Sequence, residues 1–266
     1  PIPVFAEMGS VNPVLIFPKK LEKEYDELAK KFAKSITIGS GQFCTNPGLI
    51  ISFESDTFDL FINKLVKEIE QISPSCMLHP NIYSAYNSGI QKIYKNKNVT
   101  KLTNDKIKPE INLPTHVISS VSAKKFVEDK SLQNEIFGPC SLIVKCKNTD
   151  ELHEVIESFE GQLTGTILAE SNDTHLRQKI IDALELKVGR IIFNGVPTGV
   201  EVCPSMTHGG PYPASTDSRF TAVGTNSIKR WLRPVSFQDF PQSLLPEELK
   251  NGNPLNIKRN INGIIT

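Results

Sequence analysis

Hydrophobic residues follow two spacings along the chain, and the spacing predicts which segments are strands and which are helices. Short apolar runs are typical of buried strands, whereas apolar positions three or four residues apart predict amphipathic helices. The predicted strands are 1–7, 14–17, 49–53, 115–121, 140–146, 163–169 and 190–193, with a further short strand allowed at 255–258. The predicted helices are 21–38, 57–73, 81–94, 123–127, 149–159 and 173–186.

The order of these elements predicts an α/β fold. Strands that alternate with helices of about 10–15 residues indicate β–α–β units, so we expect three layers: a largely parallel sheet flanked by helices. The segment 194–220 is rich in glycine and proline, and such long irregular loops tend to be functional. After residue 237 few core positions remain, and we interpret 238–266 as a C-terminal arm that makes oligomer contacts.

Composition excludes several classes of function. Thirty basic and 29 acidic residues leave a formal charge of +1, which predicts neither a nucleic-acid surface nor a membrane-binding patch. No apolar run is long enough to cross a bilayer, and no signal peptide is recognised. The five cysteines include no C-x-x-C pair, and the five histidines show no metal-ligand spacing. These features predict a cytoplasmic protein without disulfides and without a metal site.

Cys44 is the first candidate for chemistry. It follows the Gly39-Ser-Gly41 turn directly behind a predicted helix, and glycines there allow the backbone to approach a bound molecule. Free backbone N–H groups at such a turn favour a thiolate and can hold a developing oxyanion, which would make Cys44 a nucleophile. The alternative is a buried, inert cysteine, because free cysteine is among the most buried residue types.

Glu7 is the second candidate, at the end of the first predicted strand and beside the Gly9-Ser10 turn. Loops on a rigid scaffold often carry catalytic groups, so a carboxylate there could act as a general base. An isolated glutamate at a strand end is more often only solvated, and position alone favours that alternative.

Four separated motifs together carry a family resemblance. They are Ala6-Glu-Met-Gly-Ser10 with Asn12-Pro13, Gly41-Gln-Phe-Cys-Thr45, Glu135-Ile-Phe-Gly-Pro139, and a glycine-rich loop through His208-Gly-Gly210. In this order and spacing, residues 1–237 resemble the catalytic domain of the NAD(P)-dependent aldehyde dehydrogenases. The stretches 44–48 and 203–215 are similar to the 2,5-dioxopentanoate (α-ketoglutarate semialdehyde) dehydrogenase branch.

The resemblance implies roles for four residues, a cofactor and a substrate. Cys44 matches the nucleophile that forms a thiohemiacetal and then a thioester, and Glu7 matches the general base that activates water. Glu135 matches the residue that binds the nicotinamide ribose, and Phe137 matches a residue that packs beside the nicotinamide. A base such as Glu7 would need a pKa raised toward the working pH by a partly apolar site. The implied cofactor is NAD or NADP, and the implied substrate is a small aldehyde.

Two residues near the long loop are candidates for substrate contacts. A semialdehyde with a distal carboxylate would favour an arginine or lysine clamp, for which Arg219 is a candidate; a surface ion pair is the alternative. For His208, a substrate-loop or structural role is favoured over that of a general base, because no motif joins it to Cys44.

The chain departs from the family pattern in two ways. Met8-Gly9-Ser10 stands where family members usually have a glycine pair, and no G-x-G-x-x-G or phosphate-cradling loop is present. We therefore expect this chain to lack the N-terminal dinucleotide-binding domain and to show negligible dehydrogenase turnover alone. The alternatives are a non-enzymatic folding or oligomerisation module, assembling as a homodimer or homotetramer, and cofactor-independent acyl transfer or ester hydrolysis by Cys44 and Glu7.

Overall fold

The computed structural model describes residues 2–104 and 111–266, apart from the side chains of 174–177. The strands are β1 Val14–Ile16, β2 Leu49–Phe53, β3 Thr100–Lys101, β4 Val117–Ser122, β5 Cys140–Cys146, β6 Gln162–Leu168 and β7 Val188–Phe193. The helices are α1 Pro18–Thr37, α2 Asp56–Gln71, α3 Pro80–Lys95, α4 Ala123–Glu128, α5 Thr149–Ser158 and α6 Thr174–Glu185. Periodicity therefore predicted each of these helices within a few residues.

One seven-stranded sheet organises the fold, with strand order β3-β4-β5-β2-β1-β6-β7. Every neighbouring pair is parallel except β3–β4, which is antiparallel. The expected α/β fold with a largely parallel, helix-flanked sheet is confirmed. Among the described residues, no helix combines the length and apolar composition that crossing a membrane requires.

Both faces of the sheet are buried, because successive side chains of a strand point to opposite sides. On β1, Val14 and Ile16 pack in one core with Phe32 of α1, whereas Leu15 packs in the other with Val155 of α5. The helices α1 and α2 cover the first face, and α4, α5 and α6 cover the second. Apolar side chains of this size each contribute about 1.5–3 kcal/mol when fully buried, so the two cores fix the sheet as a rigid scaffold.

Two predicted strands are wrong. Residues 2–6 form no strand; the segment touches the rest of the fold through an isolated bridge between Glu7 and Ser215 and through Ala6 N–H, which donates to Thr216 Oγ1. The Ala6 N–H therefore bonds to a side-chain oxygen instead of the carbonyl oxygen that a neighbouring strand would supply. The strand expected at 255–258 is replaced by a hairpin of β8 Asn260–Ile261 and β9 Ile264–Ile265.

The position of this hairpin follows from its turn. Asn262 and Gly263 both have positive φ, at 54° and 88°, which is the backbone that a two-residue hairpin loop requires. The hairpin belongs to the second of two compact units, Trp231–Thr266; the first is Pro1–Arg230. Composition placed the start of the C-terminal arm after residue 237.

Candidate active site

Three of the candidate residues lie just before the amino-terminal ends of neighbouring strands. Glu7 lies in the segment before β1, Cys44 in the loop before β2, and Glu135 in the loop before β5. These strands are parallel neighbours in the order β5-β2-β1, so their amino-terminal ends lie side by side. The topology therefore brings together three residues that are far apart along the chain.

Positive-φ residues shape the Cys44 loop. Gly39, Ser40 and Gly41 have φ values of 58°, 56° and 66°, a region that glycine adopts at little cost. A Cβ atom on Gly41 would lie 2.3 Å from the carbonyl carbon of Gly138. The glycine at this position thus lets the Cys44 loop pack directly against the loop that carries Glu135.

Two buried asparagines hold these loops together. The Asn12 side-chain amide donates to the Cys44 carbonyl at 2.9 Å and to the Asn46 carbonyl at 2.8 Å. The Asn46 amide donates to the carbonyls of Gly41 and Gly138, both at 2.9 Å. Because an unpaired buried carbonyl is costly, these amides fix the backbone around Cys44. The sequence analysis assigned no role to either asparagine.

Cys44, His208 and Glu7 form one hydrogen-bonded cluster. The Cys44 Sγ atom lies 3.4 Å from His208 Nε2, and the same nitrogen lies 2.9 Å from Glu7 Oε2. The side chain of His208 is buried at 6% exposure, whereas that of Glu7 keeps 29% of its surface exposed. Backbone bonds to Thr221 Oγ1 and from Ala222 N–H hold His208 in place. The fold therefore gives Cys44 the imidazole neighbour that its sequence context did not reveal.

The cluster shifts the protonation of two of its members in opposite directions. Hydrogen bonds to Cys44 and Glu7 raise the pKa of His208 to about 9, against the opposing effect of burial. The hydrogen bond with His208 lowers the pKa of Glu7 below its usual value, although burial acts the other way. The expected rise in the Glu7 pKa is therefore wrong: a cationic imidazole stabilises the carboxylate.

A thiol, an imidazole and a carboxylate within 4.8 Å of one another are also groups that bind metal ions. Residue spacing did not reveal this set because its members come from three distant segments. We assign no metal to it, because hydrogen bonds within the cluster already link all three groups.

Glu135 lies in a different environment. Its Oε2 atom would be 3.0 Å from a Cβ on Gly9, so the carboxyl group packs against the backbone just after Glu7. Although the residue as a whole is exposed, desolvation of this carboxyl end raises the pKa of Glu135 to about 7, while the Ser10 backbone N–H acts to lower it. Glu135, Phe137 and Ser10 line the same pocket, and Phe137 is 37% exposed.

The two arginines of interest differ sharply. Arg219 donates from Nε and an Nη atom to both carboxylate oxygens of Asp217, and its side chain is 80% exposed. No contact in the described ranges joins Arg219 to Cys44, Glu7 or His208. Among the residues that the structure describes, Arg190 on β7 donates to two carbonyl oxygens, those of Pro197 and Gly199, each at 3.4 Å.

Arg190 is the arginine that interacts electrostatically with Cys44. Burial lowers the pKa of Arg190, and the negative charge of a Cys44 thiolate acts to raise it. Its Nε atom is buried without a hydrogen-bond partner in the described structure.

Comparisons with known proteins identify the family of the chain. Residues 2–232 match the aldehyde dehydrogenase family. The chain is 41% identical over 259 residues to alpha-ketoglutaric semialdehyde dehydrogenase 2 of Azospirillum brasilense, covering 97% of the chain and 49% of that protein. It is 40% identical over 268 residues to the alpha-ketoglutaric semialdehyde dehydrogenase of Acinetobacter baylyi, covering 100% of the chain and 51% of that protein. The chain thus spans about half the length of these curated relatives.

Solved structures show the same fold. Proline utilization A from Bdellovibrio bacteriovorus matches with a TM-score of 0.71 and 24% identity, over 86% of this chain and 23% of that one. The 1-pyrroline-5-carboxylate dehydrogenase from Thermus with bound NAD matches with a TM-score of 0.69 and 20% identity, over 86% of this chain and 43% of that one. Because the family match covers most of the sequence, the resemblance is confirmed: the chain belongs to the aldehyde dehydrogenase family.

Proposed function

We propose that the protein oxidises a small aldehyde to its carboxylic acid, with Cys44 as nucleophile, Glu7 as general base and NAD or NADP as hydride acceptor. The observation that carries the proposal is the cluster in which Cys44 Sγ and Glu7 Oε2 share His208 Nε2, at 3.4 and 2.9 Å. Nucleophile and base are thus held at one site, within reach of a single substrate carbon. The family of the chain supports the same reaction class.

The chain's own residues account for the two halves of the reaction. The Cys44 sulfur attacks the aldehyde carbon and forms a thiohemiacetal, which becomes a thioester when hydride leaves the carbon. When bound, the nicotinamide cofactor accepts that hydride. Glu7 then takes a proton from a water molecule whose oxygen attacks the thioester carbonyl, and the carbon–sulfur bond breaks. The acid is released and the Cys44 sulfur is free for another cycle.

The nicotinamide end of a cofactor fits the residues beside the cluster. The Glu135 carboxyl group can hydrogen-bond ribose hydroxyls, and the partly exposed Phe137 ring offers an apolar surface in the same pocket. Two solved structures of this fold, at 20% identity each, were determined with NAD and with NADP, so we propose the pair without choosing between them.

The proposed substrate is 2,5-dioxopentanoate or a similar semialdehyde with a distal carboxylate. The support is the 41% and 40% identity to two alpha-ketoglutaric semialdehyde dehydrogenases. We assign the distal carboxylate to Arg190, which has only carbonyl acceptors and a buried, unpartnered Nε atom in the described structure. Asp217 already occupies the guanidinium of Arg219, the earlier candidate.

Protection of Cys44 from alkylation tests the substrate proposal on the chain itself. We expect 2,5-dioxopentanoate to slow iodoacetamide labelling of Cys44, read by peptide mass spectrometry, more strongly than the uncharged pentanal does. Arg190→Gln should weaken protection by the anionic aldehyde about tenfold, the loss of one charge-assisted bond, and leave protection by pentanal unchanged. Equal protection by both aldehydes in the unsubstituted chain would contradict the assignment.

Reduced-cofactor formation tests the reaction. We expect the chain alone to form little reduced cofactor from semialdehyde and NAD or NADP; any increase in absorbance at 340 nm should be abolished in Cys44→Ala and retained in the matched variant Cys203→Ala. If Cys44 is protected by the aldehyde but no reduced cofactor forms, aldehyde binding belongs to this chain and hydride acceptance needs residues outside it. If neither occurs, the proposed function is wrong.

Cofactor-independent acyl transfer is a second candidate, and the contact between Cys44 and His208 favours it. A thiol beside an imidazole can attack an activated ester without any hydride acceptor. Cleavage of p-nitrophenyl acetate by the chain, lost in Cys44→Ala and kept in Cys203→Ala, would support it. Equal rates in the unsubstituted chain and Cys44→Ala would exclude Cys44 from that activity.

We also propose that the unit Trp231–Thr266 joins copies of the chain into a homo-oligomer. The unit exposes large apolar side chains, among them Trp231 at 81%, Ile264 at 68% and Ile265 at 75%. Exposed apolar surface of this kind is typical of protein contacts. Light scattering should give at least a dimer for the chain, and a strict monomer would contradict the proposal.

A further inference from the structure

The proposed reaction leaves the thiol proton of Cys44 without an acceptor, and the cluster contains one. His208 Nε2 lies 3.4 Å from the Cys44 sulfur, a distance at which sulfur and nitrogen can share a hydrogen. His208 is 6% exposed, so bulk water has little access to this imidazole. A proton that leaves the sulfur therefore has a direct path to nitrogen.

One nitrogen atom serves both neighbours of the imidazole. Nε2 faces Cys44 Sγ on one side and Glu7 Oε2, at 2.9 Å, on the other. A hydrogen on Nε2 can point to either acceptor, and the carboxylate stabilises the ring when it carries a positive charge. The arrangement differs from a triad, in which the two ring nitrogens divide these contacts.

The ring is held in this position by its backbone. His208 N–H donates to Thr221 Oγ1 at 2.8 Å, and its carbonyl accepts from Ala222 N–H at 2.7 Å. A Cβ on Gly189 would lie 1.9 Å from the Gly209 carbonyl oxygen, so the segment after His208 packs directly on β7. The imidazole is therefore anchored to the sheet, and no movement of the long loop is needed to reach Cys44.

We propose that His208 is a further catalytic residue, which takes the thiol proton of Cys44 before the attack, so that a thiolate beside an imidazolium meets the aldehyde, and which stabilises that thiolate again when the thioester is hydrolysed. The inference rests on the proposed function and gives a catalytic role to a residue for which the sequence favoured a substrate-loop or structural role. The existing hydrogen bond to Cys44 Sγ carries it.

The steps balance in protons and electrons. Before the first step the S–H bond has broken and its proton is held on Nε2; a pair of electrons on the sulfur then forms the bond to the aldehyde carbon, leaving an oxyanion. Loss of hydride to the oxidised nicotinamide cofactor gives the thioester. In hydrolysis, water gives a proton to Glu7 and its oxygen attacks; the carbon–sulfur bond then breaks, its electron pair returns to sulfur, and the imidazolium neutralises the thiolate. The protons from water and from the carboxylic acid leave to solvent.

Raised proton affinity of the imidazole supports this sequence. Hydrogen bonds to Cys44 and Glu7 bring the pKa of His208 to about 9, so the ring keeps a transferred proton at neutral pH. The imidazolium also lowers the pKa of Glu7, which weakens it as a base. Turning the Nε2 hydrogen toward sulfur during hydrolysis would reduce that effect when the base is needed.

Alkylation of Cys44 across pH tests the inference without any turnover. The exposed Cys76 is an internal reference in every sample. Between pH 8.5 and 6 we expect the Cys44 rate to fall far less than the Cys76 rate does. In His208→Gln, whose amide can still donate to both neighbours but cannot take a proton, the Cys44 profile should follow that of Cys76. At pH 6.5 this is a loss of at least about tenfold relative to the unsubstituted chain.

Identical Cys44 profiles in the unsubstituted chain and His208→Gln would overturn the inference. A Cys76 rate that changes with the substitution would indicate altered folding, and a second measurement then decides. In Cys44→Ala, histidine NMR should show the His208 ring losing its proton at least one pH unit lower than in the unsubstituted chain, because the thiolate is gone. No shift would also overturn the inference.

The outcomes separate this inference from the proposed function. If the His208→Gln profile is unchanged but Cys44→Ala abolishes reduced-cofactor formation, the dehydrogenase assignment stands without His208. If the aldehyde neither protects Cys44 nor yields reduced cofactor, the dehydrogenase assignment fails whatever the alkylation profiles show.

Discussion

Glu7 and Glu135 are two carboxyl groups near the amino-terminal ends of the parallel strands. The charge of Glu7 acts on Glu135, yet their pKa values shift in opposite directions. The hydrogen bond with His208 holds the pKa of Glu7 below its usual value. Desolvation raises the pKa of Glu135 to about 7, and the negative charge of Glu7 adds to that rise. The two groups differ in partner: Glu7 faces a cationic ring, and Glu135 faces backbone beside Gly9.

This difference shows how environment can divide chemical work between like residues. Glu7 stays ionised near neutral pH. It can take a proton from water once the Nε2 hydrogen of His208 points toward the Cys44 sulfur. Glu135 is close to half protonated at neutral pH, so it can both donate to and accept from neutral hydroxyl groups. The comparison predicts that replacing each carboxyl group by its amide impairs a different step of the reaction.

The largest effect should come from Glu7→Gln. The amide cannot take a proton from water, so we expect hydrolysis of the thioester to slow by about 10²–10⁴-fold, the usual contribution of a general base. The acyl-enzyme on Cys44 should then accumulate and appear as a mass increase on the Cys44 peptide. The matched variant Glu135→Gln should accumulate none, and accumulation of equal size in both would remove the distinction between the two carboxyl groups.

A smaller effect is expected from Glu135→Gln, and in a different constant. The amide can still donate and accept but has no ionised form, and a hydrogen bond to a charged group exceeds one to a neutral group by about 1 kcal/mol, so the KM for the nicotinamide cofactor should rise about fivefold to tenfold. The rate of thioester hydrolysis should stay near that of the unsubstituted protein. Initial rates at varied cofactor concentration measure the first quantity, and rapid-quench decay of the acyl-enzyme measures the second. An unchanged cofactor KM would exclude the ribose role of Glu135.

Much of the scaffold could be predicted because its signals are local. Short apolar runs and helical spacing predict the strands and helices from residues only a few positions apart, and β2 and β5 have the predicted bounds. The two wrong strand predictions, 1–7 and 255–258, concern segments whose structure depends on distant residues or on the conformation of a turn. Residues 2–6 depend on the segment around Ser215, and the terminal hairpin depends on positive φ at Asn262 and Gly263.

The site could be predicted only in part. Cys44 and Glu7 stand in motifs, but His208 meets Cys44 across 164 residues of sequence, a contact that no local pattern encodes. Asn12 and Asn46 work through buried bonds to backbone carbonyls, so their importance depends on which carbonyls the fold leaves unpaired. Arg219 looked suitable from its position in the sequence, but its guanidinium donates two hydrogen bonds to Asp217, two residues away, so the surface ion pair is its observed state.

The pH dependence of folding stability distinguishes Glu7 from Glu135, because their pKa values shift in opposite directions. The pKa of Glu135 is raised from 4.5 to about 7, so its contribution is fully present below about 4.5 and is lost as pH rises through 7. The pKa of His208 is raised from 6.5 to about 9, so its contribution is lost over a higher window, as pH rises through 9. Glu7, whose pKa is lowered, acts oppositely and loses its contribution only as pH falls through that lowered value.

Urea unfolding at pH 5, 7 and 9.5 would separate these windows. Relative to the unsubstituted chain, Glu135→Gln should lose less stability between pH 5 and 7, and His208→Gln should lose less between pH 7 and 9.5. The two effects should be additive if the groups titrate independently. A Glu135→Gln variant with the pH dependence of the unsubstituted chain would show that this carboxyl group is not desolvated.

The smallest effect should come from Gly9→Ala, which changes one carboxyl environment and spares the other. The new Cβ would lie 3.0 Å from Glu135 Oε2, the end of a flexible side chain that can move by a few tenths of an ångström. We expect the cofactor KM to change about twofold to fivefold, because a displaced hydrogen bond weakens without being lost. The rate of thioester hydrolysis should not change, since the bond between Glu7 and His208 is left in place. If Gly9→Ala slowed thioester hydrolysis as much as Glu7→Gln does, Glu7 and Glu135 would not act independently, because a change beside Glu135 would then impair the step assigned to Glu7.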